Sequence, residues 1–178
     1  MNYFEELKKS MEYLSQCQNV LFLGQAVSVA GTAMSNTLKD VHPSQKLELP
    51  VTEEMQMGIT NGLALDGMIP VSIFPRWNFL LLAINQLVNH LDKIPEISSG
   101  GFRPKVIIRT GIGSERPLHP QCQHVGDFSD AVQSMCKNIE VIRLEEPDDI
   151  FPSYKKAFER KDGKSTILVE YGDYYNEK

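Results

Sequence analysis

A chain of 178 residues is long enough to bury a real core as one domain. Its net charge of −5 and the absence of any Lys/Arg run argue against nucleic acid as a main partner, and its longest apolar run, residues 79–84, is too short to cross a membrane. Three cysteines, Cys17, Cys122 and Cys136, form an odd set without CxxC spacing, which suits a reducing, cytoplasmic setting better than a disulfide framework.

Residues 2–16 are amphipathic and acidic, unlike a signal or transit peptide. Asn2 followed by Glu5 reads as a helix start, and Tyr3, Leu7, Met11 and Leu14 fall on one face. A strand over residues 20–23 follows, then a loop over 24–30 and a short helix over 32–38. The spacing predicts a strand over 47–49, a turn over 50–54 and a helix over 53–65. Next come a strand over 69–73, a loop over 74–78 and a helix over 78–91. A strand over 106–109 leads into the longest irregular stretch, residues 111–126. A helix over 128–136, a strand over 139–144, a helix over 148–161 and a strand over 166–169 complete the chain. This alternation predicts an α/β fold: a mostly parallel, doubly wound sheet of about six strands with helices on both faces. Ligands of such sheets bind beyond the carboxyl ends of the strands, which marks the loops at 24–30, 50–54, 74–78 and 110–126.

A carboxylate in the turn Pro50-Val51-Thr52-Glu53-Glu54 sits at a helix start, where the dipole favours its charge. Taken alone, it is an ordinary first-turn acid. Gly58 and Gly62 lie on one face of the following helix, although glycine costs about 1 kcal/mol in a helix interior. The missing Cβ atoms therefore suggest a close approach of another element. The aromatic cluster Phe74, Trp77 and Phe79 reads, without context, as core packing. His119, Cys122 and His124 fit no common zinc spacing and lack a fourth ligand, so no metal site is expected there.

The ordered set of Pro50-Val51-Thr52-Glu53, Gly58, Gly62, Gly67, Pro70, Phe74, Trp77-Asn78-Phe79 and Ala83-Ile84-Asn85-Gln86 resembles the beta subunits of pyruvate and branched-chain 2-oxoacid dehydrogenases. More broadly it is similar to the pyrimidine-binding domain of transketolase-like thiamine-diphosphate enzymes. Weaker similarity runs through Leu21-Phe22-Leu23-Gly24, Arg109 to Gly113, Gln121 to His124 and Thr166 to Glu170. The resemblance implies that Glu53 hydrogen-bonds N1′ of the cofactor's aminopyrimidine, favouring the imino tautomer that takes the thiazolium C2 proton. Glu54 aligns one residue out of phase. It further implies that Phe79 stacks on the pyrimidine, that Phe74 and Trp77 line or support the pocket, and that His124 donates protons or binds a substrate carboxylate. The plain alternative for His124 is a surface loop histidine.

The chain departs from the family at Gln25-Ala26, where acidic residues are usual, and at Met55, often glycine. No Gly-Asp-Gly…Asn motif for Mg²⁺ and diphosphate is found, and residues 1–178 read as one pyrimidine-binding domain without the beta subunit's C-terminal domain. The resemblance thus implies a split site, with thiamine diphosphate shared and Mg²⁺ held by an alpha-like partner subunit, and self-association through the Gly58/Gly62 helix. The expected function is a beta-like subunit of a split enzyme of 2-oxoacid or transketolase-type chemistry. The alternatives are a non-catalytic homologue acting in assembly, and an unrelated doubly wound binding module.

Overall fold

The computed structural model describes residues 2–29 and 32–178. Six strands form one sheet: β1 (Val20–Gly24), β2 (Lys46–Glu48), β3 (Ile69–Ile73), β4 (Ile107–Ile112), β5 (Ile139–Arg143) and β6 (Ser165–Tyr171). Their order is β2-β1-β3-β4-β6-β5, and every neighbouring pair is parallel. Among the described residues eight α-helical segments accompany them: α1 (Tyr3–Ser15), α2 (Ala33–Asn36), α3 (Glu53–Leu65), α4 (Trp77–Leu80), α5 (Ile94–Ile97), α6 (Ser129–Met135), α7 (Pro147–Glu159) and α8 (Tyr174–Glu177). The chain leaves β1 toward β2 on one side and returns to β3 on the other. The reversal of direction falls between β1 and β3, and doubly wound sheets bind ligands beyond the carboxyl ends of the strands at such a point.

Both faces of the sheet are covered, which explains its near-continuous apolar strands. On one face Tyr3, Leu7, Met11 and Leu14 of α1 pack with Ile150 and Tyr154 of α7 against Phe22, Ile107 and Leu168. On the other, Met57 of α3, Trp77 and Leu80 of α4, Leu87, Leu91 and Val132 of α6 cover Ile108, Ile167 and Val169. Each such aliphatic or aromatic side chain contributes about 1.5–3 kcal/mol by leaving water. The helix start at Asn2 is as expected, with its side chain accepting the Glu5 N–H at 3.2 Å.

The single helix expected over residues 78–91 is instead a stretch of changing pitch. It runs from α4 through a 3₁₀ turn at Leu81–Ala83 into wide π turns at Gln86–Leu91. The adjustment buries Leu80, Ala83, Leu87 and Leu91 together, and the Asn61 amide takes the Gln86 carbonyl at 3.1 Å. The strands expected over 106–109 and 166–169 extend to Ile112 and Tyr171, because Thr110, Gly111 and Glu170 pair across β4 and β6. Ala30, the last residue of the loop expected after β1, lies outside the described residues. Among the described residues no helix is long and apolar enough to cross a membrane.

Candidate active site

Glu53 opens α3, four residues beyond Leu49, whose N–H still bonds the Gly24 carbonyl at 2.8 Å. The short link places the first turn of α3 beside the end of β1. Glu53 points inward with 5% of its surface exposed, whereas Glu54 faces solvent and is met there by the Asn85 amide. One carboxylate oxygen of Glu53, Oε1, accepts the Gln25 side-chain amide at 3.0 Å. Its Oε2 has no hydrogen-bond partner among the described residues. At the positive end of a 13-residue helix, this largely buried carboxylate keeps one acceptor in reserve.

Behind it, Gln56 secures the end of β3. Its amide donates to the Ile73 carbonyl at 2.9 Å and to Ser72 Oγ at 3.1 Å, and the Thr60 hydroxyl donates to Ser72 at 3.0 Å. Gly24 completes the corner: at φ +139° it adopts a backbone that favours glycine, and a Cβ there would collide with the Ile73 carbonyl oxygen.

The second group forms after β3. Phe79 is half-buried, and its ring lies 5.5 Å from the His124 ring at an interplanar angle of 49°. The His124 carbonyl accepts Arg76 Nη1 at 2.9 Å, which ties the long loop to the start of α4. Asp173 holds the other end of that loop by accepting the N–H groups of Glu115 at 3.1 Å and Arg116 at 3.0 Å. Phe74 and Trp77 are fully buried, so they back this group from the core. Trp77 Nε1, Asn78 Oδ1 and His124 Nδ1 are buried without partners among the described residues, a local concentration of unmet hydrogen bonds of the kind a ligand or second subunit satisfies.

Phe79 and His124 are thus brought together, and Phe74 and Trp77 stand behind them. Glu53 is held separately, by Gln25, with no hydrogen bond to that pair among the described residues. No group of three or more His, Cys, Asp or Glu side chains able to hold a metal occurs among the described residues. Gly62 of α3 meets nothing within 4 Å, and Gly58 approaches only Gln86, at 4.0 Å. The close approach expected at Gly62 is therefore not made within the chain. Exposed Met55 and Leu82 leave apolar surface near by in sequence on α3 and the helical stretch facing it.

Sequence reasoning passed over Gln25, Gln56 and Glu48. Gln25 registers only as a departure from a family pattern. Gln56 and Glu48 act on backbone groups more than fifteen residues away, and no spacing rule announces such contacts.

A family model described as "Transketolase, pyrimidine binding domain" matches residues 7–176. A pyruvate dehydrogenase E1 component subunit beta from Gracilaria tenuistipitata var. liui is 26% identical over 181 residues, covering 98% of this chain and 54% of the relative. Its counterpart from Cyanidium caldarium is 31% identical over 122 residues, covering 65% of this chain and 37% of the relative. The chain therefore spans about half or less of the curated relatives it matches. Among solved structures, a split-gene transketolase described as an inactive beta4 tetramer superposes with a TM-score of 0.73 at 16% identity, over 94% of this chain and 50% of that one. Transketolase from Leishmania mexicana superposes with a TM-score of 0.70 at 16% identity, over 93% of this chain and 24% of that one. At such identities the likeness is one of fold.

Proposed function

The chain belongs to the transketolase pyrimidine-binding domain family, and on that premise we propose that it is the beta-like half of a split thiamine-diphosphate enzyme. The observation that carries the reading is Glu53: buried, bonded through one oxygen only, and placed beside the carboxyl end of β1, where the strand order reverses. Its unpartnered Oε2 and the half-buried ring of Phe79 fit a flat heterocycle that presents an N–H donor. When bound, thiamine diphosphate supplies a nucleophilic carbon for making and breaking C–C bonds.

The residues of this chain have limited tasks. Glu53 holds a proton at the pyrimidine N1′ through Oε2, and the dry surroundings strengthen that hydrogen bond. Phe79 supplies a face for the ring, with Phe74 and Trp77 fixing its position from the core. His124 stands beside Phe79 with a titratable ring that serves proton transfer or a substrate carboxylate. By the family resemblance, Mg²⁺ and the diphosphate are held by an alpha-like partner subunit, through the oxygen ligands that suit a hard cation. Self-association through the open Gly58/Gly62 face of α3 completes the assembly. Three unpaired cysteines support a reducing, cytoplasmic setting. Substrates of this reading are 2-oxoacids or ketoses.

The test is calorimetric titration of thiamine diphosphate and Mg²⁺ into the chain, alone and with its partner subunit. Binding with the partner alone supports a split site, and Glu53→Gln should then lower turnover by about 10²–10⁴-fold. A second reading is an assembly protein without turnover. The solved neighbour described as an inactive beta4 tetramer, together with the exposed apolar residues Met55 and Leu82, favours it. A complex that forms but binds no cofactor would select that reading.

A further inference from the structure

The turn after β1 is organised by a side chain from outside it. Glu48, the last residue of β2, accepts the backbone N–H of Ala26 on Oε1 at 2.7 Å. Its Oε2 accepts Val27 at 2.7 Å and Ser28 at 2.6 Å. Three successive N–H groups converging on one carboxylate make an anion-holding nest. Ala26 takes φ +54°, a left-handed conformation that non-glycine residues adopt only when the surroundings hold them there. Partial desolvation pushes the Glu48 carboxyl up, but the bonds from Ser28, Val27 and Ala26 outweigh it and hold the group below the usual carboxylate range. The other anchor of the turn is Gly24, packed against the Ile73 carbonyl. Between the two anchors lies Gln25, whose amide reaches Glu53 Oε1 at 3.0 Å.

We propose that Glu48 is a positioning residue for the pyrimidine site: it sets the 26–28 turn so that Gln25 occupies Oε1 of Glu53 and leaves Oε2 as the single acceptor for the ring. The inference rests on the proposed function and adds a selection rule to it. With Gln25 donating on one side, the carboxylate stays an acceptor on the other and favours a ligand that offers an N–H. The contact also prevents the two oxygens from exchanging roles.

The test has two arms on the full chain. In the first, the Gln25 side-chain amide is followed by ¹⁵N NMR. It should be resolved from exposed glutamine amides, exchange with water at least about tenfold more slowly, as a lasting hydrogen bond requires, and shift in Glu53→Gln. In Glu48→Gln it should rejoin the exposed amides while signals from β3 and β4 stay in place, and Glu48→Asp should restore part of its protection. An unchanged Gln25 amide in Glu48→Gln overturns the proposal. In the second arm, the chain reconstituted with its partner and Mg²⁺ is titrated with thiamine diphosphate and with an analogue whose pyrimidine N1′ is replaced by carbon. Glu48→Gln should weaken the first by about 3–10-fold, the share of one hydrogen bond, and leave the second unchanged. Equal weakening of both would show general disruption and overturn the proposal. If the unsubstituted complex binds neither compound, the proposed function fails, and the ring-selection clause fails with it. The NMR arm then decides the Glu48–Gln25 linkage by itself.

Discussion

Glu170 and Glu53 are both buried carboxylates, yet one is saturated and the other is not. Glu170 of β6 receives Arg109 Nε at 2.7 Å and Nη2 at 3.0 Å, the Tyr154 hydroxyl at 2.6 Å and the Tyr175 hydroxyl. Arg109 spends its remaining reach on Thr37 Oγ1 at 3.1 Å and on Met11 Sδ. Burial first, and then the charge of Glu170, push the Tyr154 and Tyr175 hydroxyls well above the ordinary tyrosine value, so both remain proton donors. The cluster joins β4, β6, α1, α7 and α8 and has no valence left for a ligand. Glu53 has one neutral donor and a spare oxygen beside the end of β1. A carboxylate with every lone pair used belongs to the architecture, and one with a lone pair withheld is available for chemistry.

The sharpest way to break the contrast is Arg109→Met, which leaves Glu170 buried and unpaired. Urea unfolding should show a loss of about 3–5 kcal/mol, while joint replacement of Arg109 and Glu170 by Met and Leu should recover only part of it, because the Tyr154 and Tyr175 hydroxyls then lose their acceptor. A single variant losing under about 1 kcal/mol would remove the structural role given to the pair. Asp92→Ala comes next. Asp92 accepts the N–H groups of Lys137 at 2.8 Å and Asn138 at 2.7 Å, so their exposure should cost about 1–3 kcal/mol and speed exchange at both amides. Glu53→Gln should change stability by less than about 1.5 kcal/mol, since it removes one modest hydrogen bond and no ion pair. A loss as large as that of Arg109→Met would place Glu53 among the structural carboxylates.

Two smaller effects sharpen the same distinction between closed and open regions. Burial, reinforced by the charge of Asp92, pushes the Cys136 thiol up to about 12. At pH 8 iodoacetamide should modify exposed Cys122 and reach Cys136 only in denaturant, as mass spectrometry of the peptides will show. Glu48 has a folded-state pKa below its unfolded value. Its stabilisation is therefore complete above the ordinary carboxylate range and is lost as pH falls through the lowered folded value. Glu48→Gln should flatten that acid-side loss, a difference small enough to need matched titrations of both proteins.

Much of the architecture was legible because it is periodic. The strand at Ile69–Ile73 and the helix at Glu53–Leu65 coincide with their sequence expectations to the residue, since an apolar run and a turn signal bound each. Where periodicity stops, legibility stops. The continuation of β4 through Thr110 and Gly111 reads as loop, because a polar residue in a buried strand makes sense only beside its partner. Helix α8 was not foreseen: four residues of aromatic and polar character gain their reason from Tyr175 reaching Glu170. Arg109 was read as the end of a strand and is instead one of the largest fully buried side chains.

By itself, the sequence determined the alternation of strand and helix, the parallel α/β class and the turn that carries Glu53, because local periodicity, helix-start chemistry and glycine placement are properties of neighbours along the chain. The tertiary structure alone decided which oxygen of Glu53 Gln25 takes and which residue holds the turn that presents it. Those outcomes depend on contacts such as Gln25 to Glu53, 28 residues apart, and Arg109 to Glu170, 61 apart. Distance, angle and exclusion of water select such contacts only after the sheet has brought the partners together.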